Sequence, residues 1–165
     1  MNCECFSARK EYICNTAARN GHLECLKCAH ENGCPWDEYT CALAAANGNL
    51  NCLKYAHENG CPWHQWTCRF AAEYGHLDCL KYAYENGCPW NWRTVKYAIN
   101  RKKWSCAIYA IENGCPHRPT DIPTHLGKTL LHRKARRLFP QLAEALRQRG
   151  RNNGRHIPAV AKNKY

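Results

Sequence analysis

Fourteen cysteines and nine histidines in 165 residues point first to two kinds of chemistry, thiol oxidation and metal ligation. So much cysteine in a short chain is the usual mark of a disulfide scaffold. The densest ligand-like group is His22, Cys25, Cys28 and His30, in which the first three share a helix face by i+3 spacing. A structural zinc takes four well-placed ligands in a closed sphere. Cys3 and Cys5 could complete one, but nothing in the sequence positions them. Catalysis fares no better. No nucleophile–base pairing, phosphate loop or metalloprotease motif is present, and the carboxylates are scattered, mostly early or late on candidate helices, where they suit the helix dipole or the solvent. A non-enzymatic protein without a cofactor or metal is expected.

The reason these residues cluster is that the chain repeats. KEYICNTAARNGHLECLKCAHENGCPW (10–36) is followed without a gap by DEYTCALAAANGNLNCLKYAHENGCPW (37–63) and HQWTCRFAAEYGHLDCLKYAYENGCPW (64–90). A worn fourth copy, NWRTVKYAINRKKWSCAIYAIENGCPH, spans 91–117, so the period is 27 residues. Cys28 becomes Tyr55, Tyr82 and Tyr109 in the later copies, so a metal site there would not repeat. A fixed period of 20–50 residues marks a solenoid whose units bury apolar faces only against their neighbours.

In the second copy, Thr40 predicts an N-cap for a short inner helix over 41–47, in which Ala42, Ala44, Ala45 and Ala46 give high helix propensity and allow close packing. Gly48 suits the turn. Leu50, Leu53 and Ala56 form the apolar stripe of an outer helix running to about Asn59, which Gly60 and Pro62 end, and a linker of about six residues follows. Two such helices bury too little alone, whereas four stacked pairs can fold. The cysteines then read as core. Cys25, Cys52, Cys79 and Cys106 share one phase, and Cys34, Cys61, Cys88 and Cys115 another. Stacked helices lie about 8–10 Å apart, and a disulfide needs Cα atoms within about 7 Å, so these columns cannot be bridged along the stack. Cys14/Cys34, Cys41/Cys61 and Cys68/Cys88 can approach within a unit, but the fourth unit has Val95 opposite Cys115, which suggests a site for small apolar packing.

The frame T-C-A-x-A-A-x-x-G-H-L-x-C-L-K-Y-A-x-E-N-G resembles the ankyrin repeat, through Thr40, Ala44, Ala45, Gly48 and Leu50 in the second copy and Thr67, Ala71, Ala72, Gly75, His76 and Leu77 in the third. Cys41 and Cys68 stand where that family has Pro. Each unit is about six residues shorter than the usual 33, and the missing part corresponds to the β-hairpin finger. The short Cys-Pro-Trp form is similar to repeats of giant DNA viruses of amoebae. The resemblance implies an all-α, ankyrin-like helix-turn-helix solenoid of about four repeats without β-hairpin fingers, with C-terminal capping helices beyond it. It also implies that the rings of His22 and His76 bond backbone of adjoining turns. His30 and His57, beside Glu31 and Glu58, read as solvated, and Trp36, Trp63 and Trp90 as packed between neighbouring outer helices.

Charge divides the chain. Residues 1–116 balance at +1 and residues 117–165 at +10, which together give the net +11. The organisation expected is an N-terminal extension (1–9), four repeats (10–117) and a basic helical cap and tail (118–165). In the tail, Lys128, Arg133, Lys134, Arg136 and Arg137 form a basic patch suited to a capping face, to nuclear targeting or to phosphate contacts. No apolar run approaches the roughly 20 residues of a membrane span, and the N-terminus lacks the apolar stretch of a signal peptide. An intracellular monomer, in cytoplasm or nucleus, is expected.

A partner site is nominated by the differences among copies. Variation gathers in the triplets 37–39, 64–66 and 91–93, and at Ala42/Arg69/Lys96, Leu43/Phe70/Tyr97, Ala46/Glu73/Asn100 and Asn47/Tyr74/Arg101. Exposed positions vary freely and stacking positions do not. Tyr39, Trp66, Arg69, Phe70, Tyr74, Trp92, Arg93 and Tyr97 are therefore expected to line a concave face that binds a host or viral protein. Nucleic-acid binding through the tail is the alternative.

Overall fold

The computed structural model describes residues 12–118 and 122–123. The expected capping helices and the five basic-patch residues lie outside them. The described residues form eight helices: α1 (Ile13–Asn20), α2 (Leu23–Glu31), α3 (Glu38–Ala46), α4 (Leu50–Glu58), α5 (Gln65–Tyr74), α6 (Leu77–Glu85), α7 (Trp92–Asn100) and α8 (Trp104–Glu112). Consecutive pairs are antiparallel neighbours, and like packs on like along the stack, α1 to α3 to α5 to α7 and α2 to α4 to α6 to α8. No described residue is in a β-strand. The solenoid without fingers is the fold.

Each outer helix ends by one device, and it explains the constant Glu-Asn-Gly-Cys. The Asn59 side chain donates to the Tyr55 carbonyl at 2.8 Å, Gly60 turns left-handed (φ 83°), and the Cys61 N–H reaches back to the Ala56 carbonyl at 2.9 Å. The same side-chain bond recurs from Asn32, Asn86 and Asn113. These bonds satisfy carbonyls that a helix end leaves without partners.

The inner helices start earlier than expected. Asp37, not Thr40, is the N-cap of α3, its carboxylate accepting from the Tyr39 N–H at 3.0 Å. His64 and Asn91 occupy the same position before α5 and α7 and accept from Trp66 and Arg93. Thr40 is buried in the first turn, where its hydroxyl accepts from the Asp37 N–H and donates to Asn15 on α1. A capping box thus doubles as a bond between units. The variable triplets are therefore a cap and the first helical turn rather than linker.

Ala17, Ala18, Ala44, Ala45, Ala71, Ala72 and Ala98 are fully buried, and these small side chains let the inner helices pack far more extensively on one another than the outer ones do. Leu26, Leu53 and Leu80 fill the core between the rows. Rings fill the wider outer spacing. Trp36 stacks on His30 (3.7 Å) and meets Tyr55 of the next unit edge-on (6.2 Å). His57–Trp63–Tyr82 and Tyr84–Trp90–Tyr109 repeat that triad. The tryptophans lie between outer helices as expected. His30 and His57 do not read as solvated side chains, because each is half-buried against its tryptophan, and His30 Nδ1 lies 3.1 Å from the Tyr55 hydroxyl.

The turns interlock as well. Asn49 donates to the carbonyls of Ala18 (2.9 Å) and Arg19 (2.8 Å) in the preceding unit. The His76 ring occupies the same place against Gly48, so closely that an added Cβ there would lie 2.5 Å from Nδ1. In the worn fourth unit Lys102 takes the glycine's left-handed conformation (φ 57°), and the turn survives without its glycine.

Candidate functional site

Cys14, Cys41, Cys68, Cys79, Cys106 and Cys115 are poor nucleophiles where they sit. Cys14, Cys41 and Cys68 are buried and donate to the carbonyls of Cys34, Cys61 and Cys88, while Cys61, Cys88 and Cys115 donate to Asp37, His64 and Asn91. These weak bonds stitch each Cys-Pro turn to the start of its own inner helix. Burial holds the Cys14, Cys79 and Cys106 thiols at about 11 and Cys115 at about 12, so they stay protonated at neutral pH. Cys41 and Cys68 are pushed up further by bonding to Cys61 and Cys88 and then by burial. Cys25 departs from the packing expectation, since it is disulfide-bonded. Of the ligand-like group, His30 is committed to Trp36 and Tyr55.

The inner row presents the nominated residues. Two positions after each cap stand Tyr39, Trp66 and Arg93, and Tyr12 has the same phase in the first unit. Tyr39 and Trp66 touch across units, with ring centroids 5.1 Å apart. One turn on come Thr16, Leu43, Phe70 and Tyr97. Tyr12, Thr16, Arg19, Tyr39 and Leu43 line a cleft of about 410 Å³ between α1 and α3. Among the described residues the exposed large apolar side chains are Tyr12 (54%), Tyr39 (45%) and Tyr74 (49%), all in the inner row.

The eight nominated residues fall into three groups. Tyr39 and Trp66 form the aromatic pair. Phe70 and Tyr97 gather on Arg69, and Tyr74 lies beside Phe70 with ring centroids 6.4 Å apart. The Arg69 guanidinium lies 4.2 Å from the Tyr97 ring centroid, 5.1 Å from that of Phe70 and 3.4 Å from Glu73, to which Arg101 adds a second ion pair at 3.4 Å. Arg69 is thus engaged within the fold. Trp92 and Arg93 form the third group, with Lys96 and Arg118, whose cationic heads lie 5.1–5.5 Å from the Trp92 ring centroid.

Ala42 and Glu73, expected to be exposed because they vary, are buried. At their phases an inner-helix side chain faces the next inner helix, so variation there repacks the stack. Tyr12, Leu43, Lys96 and Arg118 were outside the nominated set. Carrying the Tyr39/Trp66 phase back one unit finds Tyr12; nothing in the sequence brings Arg118 to Trp92.

The fold defines a class, the helix-turn-helix solenoid, in which each unit packs on its neighbours. No family model matches the chain, and no curated protein does. The crystal structure of the human ASB11 ankyrin repeat domain is similar, with a TM-score of 0.55 and 18% identity over 63% of this chain. The match spans 55% of that chain, about half its length. At this identity the likeness speaks for the fold alone, which is ankyrin-like. No helix among the described residues is long and apolar enough to cross a membrane.

Proposed function

We propose that the chain is a non-enzymatic interaction module that binds a protein segment along its inner row. The observation that carries this reading is the placement of the exposed aromatics. Tyr12, Tyr39 and Tyr74 all lie on the inner row, and Trp66 continues the column. Close packing inside and ring-wedged packing outside curve a stack toward its inner row, and solenoids bind with that concave surface. Tyr and Trp supply large contact area at small entropic cost, as interface anchors do. The 27-residue Cys-Pro-Trp spacing resembles giant-virus repeats; on that footing the partner is a host or viral protein, met inside the cell by a monomeric module.

Affinity capture with the full chain and with Tyr39→Ala/Trp66→Ala tests the reading. Partners retained by the first and lost by the second, at unchanged melting temperature, support it. Equal retention refutes it. The second reading, nucleic-acid association through the tail, is favoured by the +10 balance of residues 117–165. Neutralising Lys128, Arg133, Lys134, Arg136 and Arg137 to Ala would then abolish retention on DNA at low salt.

A further inference from the structure

Charge is unevenly spread over the stack. Residues 37–63 hold Asp37, Glu38 and Glu58 against Lys54 alone, a balance of −2. Residues 91–118 hold Arg93, Lys96, Arg101, Lys102, Lys103 and Arg118 against Glu112 alone, a balance of +5. Three of those cations, Arg93, Lys96 and Arg118, converge on one ring, Trp92, and none of them has a salt bridge among the described residues. Like charges gathered this closely repel one another, and the start of α7 adds its own positive dipole end. An anionic group seated there relieves both.

Resting on the reading of the inner row as a protein-binding face, we infer that its partner is an extended peptide segment of polarised composition, apolar over Tyr39 and Trp66 and acidic along α7. The spread of charge argues for a string of carboxylates. Arg93, Lys96 and Arg118 are three separate cations around one ring, more charge than a single carboxylate neutralises. Polarity argues against a nucleic-acid strand, which is uniformly anionic and would have to pass Asp37 and Glu38 while stacking on Tyr39. A peptide is free to be apolar at one end and acidic at the other. The charge gradient then fixes its direction along the stack, as complementary charge does at interfaces.

The test is selection of random twelve-residue peptides displayed on phage by three forms of the full chain: wild type, Arg93→Glu/Lys96→Glu/Arg118→Glu, and Tyr39→Ala/Trp66→Ala. The basic tail is common to all three, so its attraction for acidic peptides cancels. Wild type is expected to recover peptides with aromatic or aliphatic residues in one half and Asp/Glu in the other. Their affinity should fall at least about tenfold for the charge-reversed form, which should itself select Lys/Arg in that half. Peptides that lose binding to the aromatic variant but carry no acidic half, or bind the charge-reversed form equally, overturn this inference and leave the protein-binding reading standing. No selection by wild type, or selection that Tyr39→Ala/Trp66→Ala does not disturb, overturns both. A twelve-nucleotide thymidine oligomer that wild type binds more tightly than the selected peptides, and that the charge-reversed form releases, overturns the inference in favour of a nucleic-acid partner.

Discussion

The interlocked turns allow a sharp test, because two glycines with similar backbones have different surroundings. Gly48 and Gly60 are both left-handed, at φ 73° and 83°. An alanine at Gly60 meets nothing within 4 Å, whereas at Gly48 its Cβ lies 2.5 Å from His76 Nδ1 and 2.9 Å from Cε1. Gly60→Ala therefore costs only the conformational term, about 1–2 kcal/mol. Gly48→Ala costs the same plus the displacement of the imidazole, a further 1–3 kcal/mol or so on the scale of overpacking. With a urea m-value of about 2 kcal/mol/M, the unfolding midpoint should drop by about 0.5–1 M for Gly60→Ala and about 1–2.5 M for Gly48→Ala. The assay is urea unfolding of the full chain followed by helical circular dichroism, completed as a cycle with His76→Ala. In the His76→Ala background the excess penalty at Gly48 should vanish, giving a coupling of about 1–3 kcal/mol. Equal midpoint losses for the two glycines, or a coupling of zero, would refute the idea that His76 latches one unit to the turn before it.

Other outcomes follow from the same geometry. Lys102→Gly should raise stability by about 1 kcal/mol, because Lys102 holds φ 57° without a glycine's freedom; an unchanged unfolding midpoint counts against it. Trp63→Ala removes the ring between His57 and Tyr82 and should cost about 2–4 kcal/mol, whereas the half-exposed pair Tyr39→Ala/Trp66→Ala should leave the melting temperature within about 2 °C while abolishing capture. In alkali, Cys14, Cys79 and Cys106 at about 11 and Cys115 at about 12 bind protons more tightly folded than at their ordinary value near 9. Their raised values mean that stability is full below pH 9 and lost as pH rises toward 12; a flat stability profile from pH 8 to 11 would contradict this. With a thiol reagent under native conditions, half-buried Cys28 should react well ahead of buried Cys41, Cys68 and Cys115, as mass mapping of the modified peptides can show.

Much of the site depended on knowing which way each phase points. Spacing alone separates Tyr39 and Trp66 from the alanines beneath them, since a 27-residue period puts equivalent positions one above another. It could not separate Glu73, turned into the stack between Arg69 and Arg101, from Tyr74 beside it, which is 49% exposed. Adjacent residues on a helix differ by about 100° in direction, and the neighbouring unit decides which of them it covers. His30 failed for a similar reason. Its place near a helix end suggests solvent, but Trp36 folds back over it from the turn that follows. Thr40 and Asp37 both suit an N-cap, and the bonds from the Tyr39 N–H to the Asp37 carboxylate and from the Thr40 hydroxyl to Asn15 on α1 show which of them takes the place.

The sequence by itself determined the period, the paired helices, the Asn-Gly stops and the exclusion of disulfides along the cysteine columns, because these rest on local propensity and on distances that any stacked array must obey. Tertiary structure alone decided how the units rotate and close on one another. It placed Arg69 against Tyr97, gathered Arg93, Lys96 and Arg118 at Trp92, and left Tyr12, Tyr39 and Tyr74 outside. A repeat specifies its own fold through contacts one period apart, whereas a binding face is the set of side chains those contacts leave uncovered.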